Sequence, residues 1–101
     1  MNLAIPKASF QKRNKIYYKD LESLRKLLIP PGKRILEIGC GVADLLNDLN
    51  PSYGVGIETN KYIAKEANEK HKHLKISVAN PGEITPELIG ETIPFDIIII
   101  N

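Results

Sequence analysis

The residues whose types and spacing could do chemistry lie in two short stretches. One is Glu37-Ile38-Gly39-Cys40-Gly41-Val42-Ala43-Asp44. The other is Gly54-Val55-Gly56-Ile57-Glu58-Thr59, with Glu58 19 residues after Gly39. The first stretch reads as a buried strand running into a glycine turn and then a helix. Glycine permits positive φ and lets a ligand approach the main chain without meeting a Cβ. A helix start just beyond supplies free N–H groups and a partial positive charge. An acid ending the next strand can accept hydrogen bonds from both ribose hydroxyls of an adenosine. A strand-end acid alone would be read as surface chemistry; at this spacing from a glycine turn, Glu58 is read as a ribose acceptor.

The ligand class follows from charge. The dinucleotide fingerprint G-x-G-x-x-G/A places its third small residue at position 44, which is Asp44. An aspartate there would repel a pyrophosphate. Glu37 adds a second negative charge, so an adenosine carrying a cation fits the field better than one carrying a diphosphate. S-adenosylmethionine has that make-up: adenine, ribose, an amino-acid end and a sulfonium. Other groups that could react are less telling. Cys40 sits inside the turn, where small size is the evident requirement. His71 and His73 form His-x-His without a visible third ligand, so no metal site is expected. No Ser-His-Asp arrangement or Cys-x-x-Cys pair is present.

These residues need elements to position them. Four apolar segments, Arg34–Ile38, Tyr53–Ile57, Leu74–Val78 and Phe95–Ile100, start about 20 residues apart. They are rich in Ile, Val and Leu with little alternation, as in strands buried on both faces of a parallel sheet. The intervening segments read as helices. Asn14 to Ile29 carries an apolar stripe at helical spacing and stops at Pro30-Pro31-Gly32. Val42 to Leu49 is a short helix ended by Asn50-Pro51. Asn60 can cap a helix running to about Lys70, and Thr85-Pro86-Glu87 is a further helix start. The βα rhythm predicts a layered α/β fold with right-handed crossovers.

Composition agrees with one domain. The chain has 101 residues, 43% hydrophobic and 26% charged, near the average for folded domains. Its longest apolar run, Ile97–Ile100, is far short of the ~20 residues of a membrane span. A single cysteine and no visible signal peptide suit a reducing, cytoplasmic setting. Residues 1–34 hold nine Lys/Arg against two acids, and residues 35–101 hold five against ten. The basic part could meet a phosphate-bearing surface, but a solvated helix face explains it as well, and no nucleic-acid-binding pattern is visible.

Glu37-Ile38-Gly39-Cys40-Gly41-Val42-Ala43 resembles motif I of the class I S-adenosylmethionine-dependent methyltransferases, E/D-x-G-x-G-x-G, with Ala43 in place of the third glycine. The resemblance implies a Rossmann-like three-layer fold and cofactor contacts from Glu37, Gly39, Cys40, Gly41 and Ala43. It implies that Glu58, followed by Thr59, binds the ribose. Asn80, ending Ser77-Val78-Ala79-Asn80, falls where the family has an adenine contact; it could equally be a turn residue before Pro81-Gly82. Phe95-Asp96-Ile97-Ile98-Ile99-Ile100 resembles the family's fourth-strand motif, which places Asn101 near the cofactor's methionine. Tyr17-Tyr18, leading into Leu28-Ile29-Pro30-Pro31-Gly32, is weakly similar to methyltransferases of bacterial glycan pathways and implies a leading segment that closes over the cofactor through Tyr17. A glycan-type or small-molecule acceptor would go with that.

Such enzymes have strand order 3-2-1-4-5-7-6, and this chain supplies order 3-2-1-4, apparently truncated before strand 5. The expected layout is a partial methyltransferase domain over 1–101: an N-terminal helical segment at 1–32 and cofactor-binding βα units at 33–101. The fourth strand would be an exposed edge open to self-association, and turnover by the chain alone is not expected. The competing reading is a non-catalytic Rossmann-like binding or dimerisation module. A nicotinamide-dependent oxidoreductase is disfavoured by Asp44.

Overall fold

A computed structural model describes residues 15–18 as main chain, and residues 29–85 and 95–101 in full. In chain order the elements are β1 (Lys15–Tyr18), β2 (Arg34–Ile38), α1 (Asp44–Asp48), β3 (Tyr53–Glu58), α2 (Lys61–Lys70), β4 (Lys75–Val78), a 3₁₀ turn (Pro81–Glu83) and β5 (Ile97–Ile100). The strands form one sheet in the order β1-β5-β2-β3-β4, and every neighbouring pair is parallel. The four predicted strands therefore stand in the order 3-2-1-4, with β2 at the centre. Purely parallel pairing forces each connection to cross over the sheet. That brings the carboxyl ends of β2, β3 and β5 to one edge, where such sheets bind ligands.

The absence of alternation has the expected consequence in β2, β3 and β5, whose two faces are covered, but not in β4, where Lys75 and Val78 are exposed. On one face Ile35, Ile97 and Ile99 pack with Ala43 and Leu46 around α1, and with Ala64 and Ala67 of α2. On the other, Leu36, Ile38, Val55, Ile57, Ile98 and Ile100 pack with Ala79, Ile84 and Phe95. α2 starts at Asn60, whose Oδ1 accepts from the N–H groups of Tyr62 and Ile63 at 2.9 and 3.2 Å; this is the cap expected from the sequence. Among the described residues, no helix is long and apolar enough to cross a membrane.

Two expectations are corrected. Residues 15–18, read as the start of a helix, form a strand, with Lys15 to Tyr18 in register with Ile97 to Ile100. Ile16, Tyr17 and Tyr18 are β-branched or aromatic and fit a pleated surface. The open side of β5 supplies the hydrogen-bonding partners that an isolated reading of periodicity does not see. The rest of the predicted 14–29 helix, up to residue 28, and residues 86–94 of the helix expected after Thr85 lie outside the described residues. As a result β5 has neighbours on both sides. It is not an exposed edge, and the self-association expected through it loses its basis.

The opposite end of the sheet carries a clamp. Asp96 Oδ2 accepts from the Arg34 N–H at 2.9 Å, and its carboxylate meets the Arg34 guanidinium at 3.4 and 3.2 Å. Arg34 is the main cause of the lowered Asp96 pKa. Because the folded value lies below the unfolded one of about 3.9, the stabilisation is fully present above about pH 4 and is lost as pH falls through the folded value. Asp96→Asn is therefore expected to flatten the decline of the urea midpoint below about pH 4. Both side chains are more than a third exposed, so its effect near neutrality should stay within about 1 kcal/mol.

Candidate functional site

The site is built at the carboxyl ends of β2, β3 and β5. β2 ends at Ile38, and the chain then turns through Gly39 (φ 81°) and Gly41 (φ 58°). Gly39 and Cys40 donate their N–H groups to the Ile57 carbonyl at 2.7 and 3.1 Å, fastening the turn to β3. A Cβ added at Gly41 would meet nothing within 4 Å. The main chain there faces open space that a ligand can enter, and φ at this position favours glycine.

Glu58 ends β3 and reaches this turn. Its Oε1 accepts from the Gly41 N–H at 3.1 Å. Its Oε2 accepts from the Asn60 N–H at 2.8 Å and from Thr59 Oγ1 at 3.4 Å. The acid singled out by spacing thus meets the glycine turn directly. From the other side comes Asn101, just past β5. Its N–H donates to the Ile38 carbonyl at 3.0 Å, and its amide Nδ2 donates to Glu37 Oε2 at 3.3 Å and to the Gly39 carbonyl. Glu37 is fully buried beneath the turn. Glu37, Gly39, Cys40, Gly41, Glu58, Thr59 and Asn101 are therefore gathered at one sheet edge.

Asn80 is exposed at the start of the 3₁₀ turn and donates from Nδ2 to Glu83 Oε1 at 2.9 Å. Tyr17 lies on β1, in register with Ile99 of β5; its side chain lies outside the described residues.

Two residues are more informative in space than in sequence. Ala43, in place of the third glycine, takes the left-handed conformation at φ 66°, ψ 24°. Glycine would hold this backbone without strain, whereas an L-residue is strained by roughly 1–2 kcal/mol there. Its methyl group is fully buried against Leu46, Ala64 and Ala67, which offsets part of that strain. Asp44 is not aimed as a phosphate repellent. Its carboxylate meets Lys70 Nζ at 2.9 Å and His71 Nε2 at 2.8 Å, so the side-chain hydrogen bond from Lys70, then that from His71, lowers its pKa. His71, read from sequence as part of a His-x-His pair without a third ligand, meets the Asp44 carboxylate. A 27-residue separation gives no local signal for that pairing. Among the described residues, no three potential metal ligands cluster.

The Cys40 thiol is buried, and its pKa is pushed up to about 12 by desolvation, with Glu37 and Glu58 adding to the rise. It stays protonated at neutral pH and fills space. Gly56 makes that space, since a Cβ there would lie 2.6 Å from Cys40 Sγ and 2.8 Å from Ile76 Cδ1. Gly56→Ala is expected to lower stability by roughly 1–3 kcal/mol through overpacking, read as a shifted urea midpoint.

No protein-family model matches the sequence, and no curated protein matches it closely. Solved structures do match in fold. A TehB-like SAM-dependent methyltransferase from Corynebacterium glutamicum has TM-score 0.61 and 21% identity, over 82% of this chain and 46% of that one. A dimethyladenosine transferase from Plasmodium falciparum has TM-score 0.62 and 19% identity, over 84% and 33%. A protein-L-isoaspartate O-methyltransferase has TM-score 0.58 and 18% identity, over 76% and 26%. The chain has the Rossmann-like fold of class I S-adenosylmethionine-dependent methyltransferases. It spans less than half the length of these structures.

Proposed function

We propose that the chain is the cofactor-binding half of a methyltransferase and that its glycine turn holds S-adenosylmethionine. The observation that carries this reading is the hydrogen bond from the Gly41 N–H to Glu58. It unites the open glycine main chain with a carboxylate held at the end of the adjacent strand. In this reading Glu58 accepts from the ribose hydroxyls, with Thr59 beside it. Gly39, Cys40, Gly41 and Ala43 shape the floor of the methionine end. Asn101, orienting itself on Glu37 and Gly39, borders that end from β5, and Tyr17 of β1 is assigned to the same site. The Asn80 donor group is taken up by Glu83, so the side-chain carbonyl is the end offered to the adenine amine.

The cofactor, when bound, supplies the electrophilic methyl group, and the protein supplies alignment and exclusion of water. No nucleophilic side chain is required. The protonated Cys40 thiol gives no reason to invoke one. The acceptor is proposed to be a small molecule or glycan-type hydroxyl, in a cytoplasmic setting. Because this chain spans less than half the length of the similar structures, turnover is assigned to the whole protein and not to these residues alone.

Isothermal titration with S-adenosylhomocysteine tests the reading, with NAD as the comparison ligand. Binding of the first and not the second supports it. Absence of binding removes it and leaves the fold as a non-catalytic binding module, whereas preference for NAD removes it in favour of a nicotinamide-dependent oxidoreductase.

A further inference from the structure

The helix that follows the glycine turn is too short to hold its own start. α1 has five residues, no side-chain cap, and begins directly after the strained Ala43. Strained main chain persists where its surroundings over-determine it. What reaches α1 from outside is the last turn of α2: Lys70 and the buried His71 both engage Asp44, the first residue of α1. His71 is fixed in turn, because its N–H donates to the Ala67 carbonyl and its carbonyl accepts from Leu74.

We propose that Asp44 and His71 are positioning residues that hold the glycine turn in its ligand-binding conformation, and that the proton on His71 sets how firmly they do so. With His71 protonated, the contact is a charge-assisted pair. With the ring neutral the hydrogen bond to the Asp44 carboxylate remains and the attraction between opposite charges is lost. At the ring stand Asp44 from α1 and His73 from the segment that follows; Lys70 of α2 shares Asp44 with it, and Asp48 and Glu66 act on Lys70. His73 stands edge-on at 6.3 Å. Asp44 is the one bonded to the imidazole, so it decides the sign: protonation tightens the clamp. The effect on ligand affinity rests on the proposed cofactor reading, whereas the effect on the turn does not.

Both parts can be measured on this chain by following the His71 ring signals as pH is varied. By NMR, the Gly39, Gly41 and Ala43 amide signals are expected to move with the His71 midpoint, and to stop doing so in Asp44→Asn and His71→Gln. By calorimetry, S-adenosylhomocysteine should bind about fivefold more weakly with the His71 ring neutral than with it protonated, and this slope should vanish in His71→Gln. Turn amides that stay still while His71 titrates, a His71 that does not titrate, or a slope that survives in His71→Gln would each overturn the proposal. If the amides titrate but the ligand does not bind at any pH, the positioning stands and the cofactor reading falls.

Discussion

Glu58→Ala is expected to weaken S-adenosylhomocysteine binding by roughly 10- to 100-fold, the effect of losing a hydrogen bond to a charged acceptor, about 1.5–3 kcal/mol. Three donors hold this carboxylate in one orientation: the Gly41 N–H, the Asn60 N–H and Thr59 Oγ1. Little ordering is then left to occur on binding. A carboxylate has about four acceptor positions, and three are taken, so meeting both ribose hydroxyls releases one donor, Thr59 Oγ1 at 3.4 Å being the most weakly held. Glu58→Gln keeps the shape but replaces one acceptor with a donor, so its affinity should fall between wild type and Glu58→Ala. Circular dichroism would confirm that both variants keep the fold. An affinity unchanged by Glu58→Ala would remove the ribose role.

Gly39→Ala should damage the site and the fold together. The residue has φ 81°, and an added Cβ would lie 3.0 Å from Asn101 Cβ and 3.3 Å from Asn101 Nδ2. The backbone conformation alone is unfavourable for alanine by roughly 1–2 kcal/mol. For a domain of this size that lowers Tm by about 5–15 °C. Displacing Asn101 also breaks its contacts with Glu37 and the Gly39 carbonyl, so affinity for the cofactor product should fall more than tenfold. Gly32→Ala separates the two effects. Gly32 has φ 84° but nothing within 4 Å of an added Cβ, so it should lower Tm and leave ligand affinity unchanged. Equal affinity in Gly39→Ala and Gly32→Ala would show that Asn101 has no part in the site.

The legible parts were those encoded over short stretches. The four strands announced themselves as unalternating apolar runs, although β4 is only half buried, the Asn60 cap as a side chain before a helical pattern, and the turn as glycines between strand and helix. The missed parts join distant residues or depend on which partner a strand finds. Lys15–Tyr18 has a helical apolar stripe and strand-forming side chains at once, and pairing with Ile97–Ile100 decides between them. Asp44 looked like a charge facing the ligand because its sequence neighbours line the turn. Its actual partners, Lys70 and His71, come from the far end of α2.

By itself, then, the sequence determined a parallel α/β sheet with a glycine turn at the end of its central strand and an acid at the end of the next. Strand burial, turn conformation and helix capping are written in residues a few positions apart. The tertiary structure decided what the charges and edges do. It closed both sides of the fourth strand, gave Ala43 a left-handed conformation under a buried methyl group, and turned Asp44 from a barrier to phosphate into an anchor for α1. Those outcomes depend on contacts across the crossovers, where proximity comes from packing rather than from sequence distance.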